Sequence, residues 1–242
     1  MTSAEKQKIA CFLDIAGDYL DSGYKSDCKE YHFTDDTEIT VNAVHSIKND
    51  DADTIEKIAL EIKVCEYCSL CATRINAVPG EGIIRPVVMV IGEGPGEDED
   101  KQGRPFVGKA GQLLDKMLLS IGLSRAENAF IANVVKCRPP KNRDPYPEET
   151  AACSLFLKRQ ISILKPQFIL AAGRVSAQTL LRSTEPIGRL RGRFTELAVD
   201  DRNYPFLATY HPAALLRSEE YKRPAWEDLK LLRSAIEGKK DT

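Results

Sequence analysis

The sequence lacks any apolar run that approaches the roughly 20 residues of a membrane-spanning helix. Its first residues, MTSAEKQKIACFLDIAG, are too acidic and too short in their apolar stretch for a secretory signal. We therefore expect a cytoplasmic protein that does not enter a membrane. Seven cysteines in such a reducing compartment are better explained by bound metal or free thiols than by disulfides.

Short apolar runs alternate with helical patterns over most of the chain. The runs at 87–91, 129–135 and 167–172 are typical of buried parallel strands. Apolar residues at helical spacing follow at 109–121 and 148–164. This alternation predicts an α/β fold with a mainly parallel sheet that helices cover on both faces.

The first 59 residues do not share this alternation. Residues 4–21 have apolar positions close to helical spacing, whereas residues 21–53 are polar and acidic and show no sustained period. We therefore predict an N-terminal extension over 1–59, made of an amphipathic helix and a flexible linker. A single globular domain is predicted to follow over 60–242.

Charge is unevenly distributed along the chain. Residues 1–64 carry 7 Lys and Arg against 14 Asp and Glu, whereas residues 65–242 carry 27 against 22. A mildly basic body behind an acidic head fits nucleic-acid binding, although solvated surface charge explains the counts equally well. Basic side chains in predicted loops are candidate phosphate contacts: Arg138, Lys141, Arg143, Arg191 and Arg217.

Polar side chains lie at the ends of three predicted strands. Glu93, Asn133 and His211 each stand at or just after a strand end, and His211 is one of only three histidines. Because ligand sites in parallel sheets form beyond the carboxyl ends of the strands, we expect these side chains to meet there. Phe106 follows in a proline-stiffened loop, where it either packs in the core or stacks on a flat ring.

The loop after the first of these strands lacks the third glycine of a dinucleotide-binding turn. That glycine would fall at position 97, which is Glu, and we predict no helix start there. Acids at 97, 98, 99 and 100 would also repel a phosphate. They form either a solvated acidic loop or a magnesium site for phosphodiester cleavage.

The cysteines lack the second tight pair of a zinc ribbon. Cys65 and Cys68 form a C-x2-C pair, whereas Cys137 and Cys153 have 15 residues between them. Two such pairs can hold zinc or an iron–sulfur cluster, and the wide second pair favours iron–sulfur. Cys71 is either a free thiol beside the site or the third cysteine of a ferredoxin-like start.

Together these motifs resemble the iron–sulfur, family 4 type of uracil-DNA glycosylase. The matching segments are GEGPGEDED and GRPFVGKAG within 92–111, ANVVKCRPPKNRDP at 132–145 and HPAALLR at 211–217, together with the four paired cysteines. The resemblance implies a three-layer α/β/α sandwich with a central, mainly parallel four-stranded sheet. It also implies a base excision repair enzyme that flips uracil out of DNA and hydrolyses its N-glycosidic bond, leaving an abasic site.

The resemblance assigns roles residue by residue. Cys65, Cys68, Cys137 and Cys153 would hold a 4Fe–4S cluster. Phe106 would stack on uracil, Asn133 would read its edge and His211 would contact its O2 atom. Glu93, Gly94 and Pro95 would line the pocket.

Two absences bear on the chemistry that this likeness implies. Related glycosylases carry a carboxylate where this chain has Gly94, so water activation falls first to Glu93, then to Glu97 or Glu99, or to substrate and DNA charge. No histidine stands between His45 and His211, which argues against the covalent uracil adduct of one related branch.

The remaining expectations concern partners. Leu215 lies in an Ala-Ala-Leu-Leu stretch that either wedges into the base stack or starts a buried helix. We expect a monomer whose extension docks a protein partner. Two other functions stay open: a non-catalytic iron–sulfur DNA-binding accessory domain, and a metal-dependent nuclease.

Overall fold

A computed structural model of the protein describes residues 53–240, so the predicted helix at 4–21 and most of the predicted linker lie outside the described residues. No helix among the described residues is long and apolar enough to cross a membrane. The strands are β1 Glu81–Gly82, β2 Val88–Gly92, β3 Ala129–Asn133, β4 Phe168–Ala172, β5 Phe194–Val199 and β6 Arg202–Thr209. The helices are α1 Ile55–Val64, α2 Glu97–Gln102, α3 Lys109–Leu119, α4 Pro147–Leu164, α5 Arg174–Leu181, α6 Ile187–Leu190, α7 Pro212–Arg217 and α8 Lys222–Lys240.

The strands form one mixed sheet in the order β1-β3-β2-β4-β6-β5. The four central strands, β3, β2, β4 and β6, run parallel, and β1 and β5 add antiparallel edges. The predicted α/β class is confirmed, but the sheet has six strands where four were predicted. The edge strand β1 was missed because it has only two residues and so lacks the continuous apolar run of a central strand.

Alternate side chains of the central strands enter two separate cores. Val88 and Val90 of β2 pack in the core that contains Leu114 of α3 and Leu232 of α8. Met89 and Ile91 of β2 point to the other core, which they share with residues of α1 and α4. Helices therefore cover both faces of the sheet, since side chains along a strand alternate between its faces.

Helix α1 spans the predicted boundary between residues 59 and 60 and packs with the domain. Thr54 caps it by accepting a hydrogen bond from the Lys57 N–H at 3.2 Å. Ile58 and Ile62 are buried in the core shared with α4. The boundary between extension and domain remains a prediction, and α1 packs with the domain.

Candidate active site

A cavity of about 690 Å³ opens at the carboxyl edge of the parallel strands. Its walls come from residues that directly follow β2, β4 and β6, together with the loop that carries Phe106. Glu93 and His211, two of the three predicted strand-end groups, line this cavity with Phe106. The topology thus gathers side chains that are more than 100 residues apart in the sequence.

The partly buried Glu93 has an unusual proton affinity. Burial, followed by the negative charge of Asp144, raises the pKa of Glu93 to about 7, while Arg174 opposes the shift. Asp144 and Arg174 line the same cavity. At neutral pH the Glu93 carboxyl therefore exists in both its protonated and ionised forms.

His211 is held as a neutral hydrogen-bond donor. It caps α7, and its Nδ1 accepts a hydrogen bond from the Ala213 N–H at 3.1 Å. Burial and then Arg217 lower the pKa of His211 to about 4, against a smaller opposing effect of Glu99. Since Nδ1 accepts, the ring proton resides on Nε2, which is free to donate into the site.

Glycine at position 173 lets the His211 side chain approach the sheet closely. Gly173 has a φ of 102°, and a Cβ atom there would lie 2.9 Å from the Cβ of His211. Any larger residue would meet both the backbone strain and this contact. The end of β4 is therefore shaped to seat the imidazole.

Phe106 and Asn133 meet above Gly92 at the end of β2. A Cβ atom on Gly92 would lie 2.4 Å from Asn133 Oδ1 and 2.6 Å from Phe106 Cζ. The Phe106 ring also faces the His211 ring, with centroids 5.6 Å apart and planes inclined by 29°. Asn133 is buried, and its Oδ1 has no hydrogen-bond partner within residues 53–240. The Phe106 ring thus lies next to an Asn133 side-chain oxygen that lacks a hydrogen-bond partner in this part of the chain.

The loop that carries Phe106 is anchored from two sides. Arg125 donates to the carbonyl oxygens of Pro105 and Phe106 at 2.9 and 3.0 Å. The Glu99 carboxylate accepts hydrogen bonds from the N–H groups of Val107 and Gly108 at 2.8 and 3.0 Å. These contacts hold Phe106 in a left-handed conformation with a φ of 53°, which is rare for an aromatic residue.

Five thiols surround a second, smaller cavity between α1, α4 and the loop after β3. All five described cysteines are free thiols and line it: Cys65, Cys68, Cys71, Cys137 and Cys153. Three of their sulfurs accept hydrogen bonds, from the Tyr67 N–H at 3.5 Å, the Lys136 N–H at 3.3 Å and Arg74 Nη1 at 3.2 Å.

Such donors stabilise thiolates, and the donor set fits an iron–sulfur cluster. Among residues 53–240, no three metal-ligating side chains are arranged to hold a single ion. A cluster of several iron atoms instead needs thiols distributed around a cavity, as they are here.

Comparison with known proteins matches residues 79–230 to the model of the uracil DNA glycosylase superfamily. This chain belongs to the uracil-DNA glycosylase superfamily. A type-4 uracil-DNA glycosylase of Saccharolobus solfataricus is 43% identical over 77% of this chain and 88% of its own length. The type-4 enzymes of Pyrobaculum aerophilum and Thermotoga maritima are 45% and 42% identical, over 72% and 75% of this chain and 91% and 94% of their own lengths.

A type-5 glycosylase of Pyrobaculum aerophilum is more distant, at 31% identity over 57% of this chain and 66% of its own length. The predicted membership of the type-4 branch is thereby confirmed.

The acidic stretch of this glycosylase forms a helix start, contrary to the sequence-based expectation. Helix α2 begins at Glu97 because Gly96 takes the extended cap conformation and its N–H donates to the Glu99 carboxylate at 3.1 Å. Acids are favourable in a first helical turn, where the backbone N–H groups point outward. Glu97 pairs with Lys101 at 2.6 Å, and buried Asp100 accepts from the Ile75 and Asn76 N–H groups. These contacts occupy the acids without a metal ion.

The basic residues predicted to contact DNA differ in their availability. Arg143 pairs with the buried Glu149 at 2.7 Å, and Arg191 pairs with the buried Asp228 at 2.7 Å, so both guanidinium groups serve the fold. Arg138 donates to Asn142 Oδ1 at 2.7 Å and lies 3.4 Å from a Glu97 oxygen. Lys141 and Arg217 are exposed, and Arg217 borders the main cavity.

The two leucines of the Ala-Ala-Leu-Leu stretch differ in burial. Leu215 is only 3% exposed, whereas its neighbour Leu216 is 52% exposed. Residues 212–217 form helix α7, and a helical turn places consecutive side chains on different faces. Leu216 is therefore the leucine that this helix exposes to solvent.

Proposed function

We propose that this protein excises uracil from DNA by hydrolysing the N-glycosidic bond, which leaves an abasic site for base excision repair. The observation that carries the proposal is the buried Asn133 Oδ1, unpartnered within residues 53–240, beside the Phe106 ring. A buried acceptor without a partner is costly unless a ligand satisfies it. The N–H edge of uracil supplies that partner, while the uracil ring stacks on Phe106.

His211 stabilises the departing base. Cleavage of the glycosidic bond leaves negative charge on uracil, and Nε2–H of the neutral imidazole donates to its O2 atom. Donors placed at a developing anion are each worth about 10²–10³ in rate. Backbone groups of Gly94 and Pro95, which directly follow Glu93, are assigned to the uracil pocket by the family resemblance.

Glu93 is the group that activates water. A general base works best when its pKa lies near the operating pH, and the pKa of Glu93 is raised to about 7. Glu97 and Glu99, the other acids considered, are held in contacts with Lys101 and with backbone N–H groups.

The cysteines, we further propose, bind a 4Fe–4S cluster through Cys65, Cys68, Cys137 and Cys153. When bound, the cluster supplies a cross-link between the segment before β1 and the loop after β3, and no redox step is required of it. Cys71 lines the same cavity as a neighbouring thiol. Arg74 and the Lys136 N–H orient two of the sulfurs by hydrogen bonds.

DNA binding is assigned to exposed groups around the cavity. Lys141, Arg217 and the partly exposed Arg138 contact phosphates, and Leu216 enters the gap that the flipped base leaves. The acidic extension over 1–59 docks a protein partner, and the enzyme acts as a cytoplasmic monomer. Deleting the extension should change the proteins recovered in a pull-down, and unchanged recovery would remove this assignment.

The decisive experiment uses a 5′-labelled oligonucleotide that contains a single uracil, incubated with the full-length protein in EDTA. We expect no strand break until alkali is added, because alkali cleaves at an abasic site. An oligonucleotide with thymine at the same position is the matched control. A break without alkali, or a requirement for Mg²⁺, would indicate a nuclease, and an intact strand after alkali would indicate a non-catalytic domain.

A further inference from the structure

Two charged side chains from different elements line the same cavity as Glu93. Asp144 lies in the loop before α4, and Arg174 is the first residue of α5. Arg174 Nη2 donates to Asp144 Oδ2, and Arg174 Nη1 donates to Gln178 Oε1 at 3.2 Å. The backbone of Asp144 is held in turn by Arg143, which donates to its carbonyl oxygen at 2.9 Å. Gln178 and Arg143 thus hold Arg174 and Asp144, respectively, in place.

We propose that Asp144 and Arg174 form a positioning pair that sets the charge of the Glu93 carboxyl and thereby the pH range in which Glu93 accepts a proton from water. This inference rests on the proposed glycosylase function and deepens it. Neither residue was predicted to belong to the site from the sequence.

The physical basis is one cavity that holds two carboxyl groups beside one cation. Asp144 and Glu93 line this cavity together, and the negative charge of Asp144 opposes the ionisation of the partly buried Glu93. Arg174 pairs with Asp144 and so favours the ionised form of Asp144. Glu93 is more buried than Asp144, so of these two carboxyl groups Glu93 is the one that keeps a proton.

Other charged or titratable groups also line the cavity. The Glu99 carboxylate accepts hydrogen bonds from backbone N–H groups, and His211 is uncharged above about pH 4. Neither group therefore takes over the role of Asp144 in setting the charge of Glu93. The groups that line the cavity besides the three discussed are Glu97, Asp98, Glu99, Lys109, Tyr210, His211, Arg217 and Tyr221.

The test compares the pH dependence of single-turnover uracil release in two variants. Asp144→Asn removes a negative neighbour, so Glu93 should ionise more easily and the acidic limb of the profile should move down by about one pH unit. Arg174→Met removes a positive neighbour, so the same limb should move up. A merely structural role would slow both variants without moving their limbs in opposite directions.

Matched controls are Asp201→Asn and Arg182→Met, exposed residues outside the cavity, which should leave the limb unchanged. A second measurement follows the Glu93 carboxyl carbon by ¹³C NMR in the full-length protein without DNA. The pH midpoint of its titration should move down in Asp144→Asn and up in Arg174→Met. Unmoved limbs or unmoved NMR midpoints in both variants would overturn the inference. If the wild type releases no uracil, the proposed function fails instead, and the NMR midpoints still decide whether the pair controls Glu93.

Discussion

Replacing Gly92 by alanine would insert a methyl group between Asn133 and Phe106, the two side chains of the proposed base pocket. Gly92 is the last residue of β2 and pairs in register with Asn133 of β3. The new Cβ would lie 2.4 Å from Asn133 Oδ1 and 2.6 Å from Phe106 Cζ. Unstrained carbon contacts are about 3.5–4.0 Å, so both side chains would have to move by roughly 1 Å.

The size of the effect follows from this displacement. Inserting a methyl group into a packed site costs about 1–3 kcal/mol of folding free energy. A misplacement of about 1 Å in an active site can lower the rate about 100-fold. We therefore expect Gly92→Ala to lose about two orders of magnitude in uracil release, while its melting temperature falls by only about 2–10 °C.

Single-turnover release from the uracil oligonucleotide measures the rate, and thermal unfolding measures the stability. Gly188→Ala is the matched control, because the nearest atom to a Cβ there is Tyr210 Oη at 4.0 Å. If Gly92→Ala released uracil at the wild-type rate, Asn133 and Phe106 could not be the groups that hold the base.

Three further changes test other parts of the site. His211→Ala should slow uracil release about 10²–10³-fold, because it removes the donor to O2, and an unchanged rate would exclude that role. Since the pKa of His211 is lowered to about 4, the wild-type rate should show no titration of His211 above pH 5. Cys153→Ser should lower the iron content of the purified protein and its melting temperature, and iron retained at the wild-type level would count against this ligand. Arg191→Ala leaves the buried Asp228 carboxylate unpaired, so the free energy of unfolding in urea should fall by about 3–5 kcal/mol; full stability with weaker DNA binding would restore Arg191 to the DNA interface.

The part of the site that the sequence predicts is the part built from strand ends. Val88 to Gly92 is a fully buried parallel strand, and such strands appear in sequence as continuous apolar runs. Once the strands are known, the positions of Glu93, Asn133 and His211 follow, because the carboxyl ends of parallel strands share one edge. The arrangement is therefore encoded locally, by where each apolar run stops.

The parts that escaped prediction depend on contacts between distant segments. Arg125 supports Phe106 from 19 residues away, and the Asp144–Arg174 pair joins the loop before α4 to the start of α5. No periodic pattern marks these residues. The helix start at Glu97 was also missed, because its cap is the backbone of Gly96 and not a polar capping side chain.

The segment 133–137 connects the base pocket to the thiol cavity through one buried lysine. Lys136 is 1% exposed, and its Nζ donates to the Asn133 carbonyl at 2.8 Å and to Gln160 Oε1 at 2.7 Å. Its backbone N–H contacts Cys153 Sγ, and the next residue is Cys137. A buried ammonium needs all its partners in place, so a shift of the cysteines would be transmitted to the backbone that orients Asn133. If Asn133 reads the base as proposed, the thiol cavity should influence base recognition through structure alone, without electron transfer.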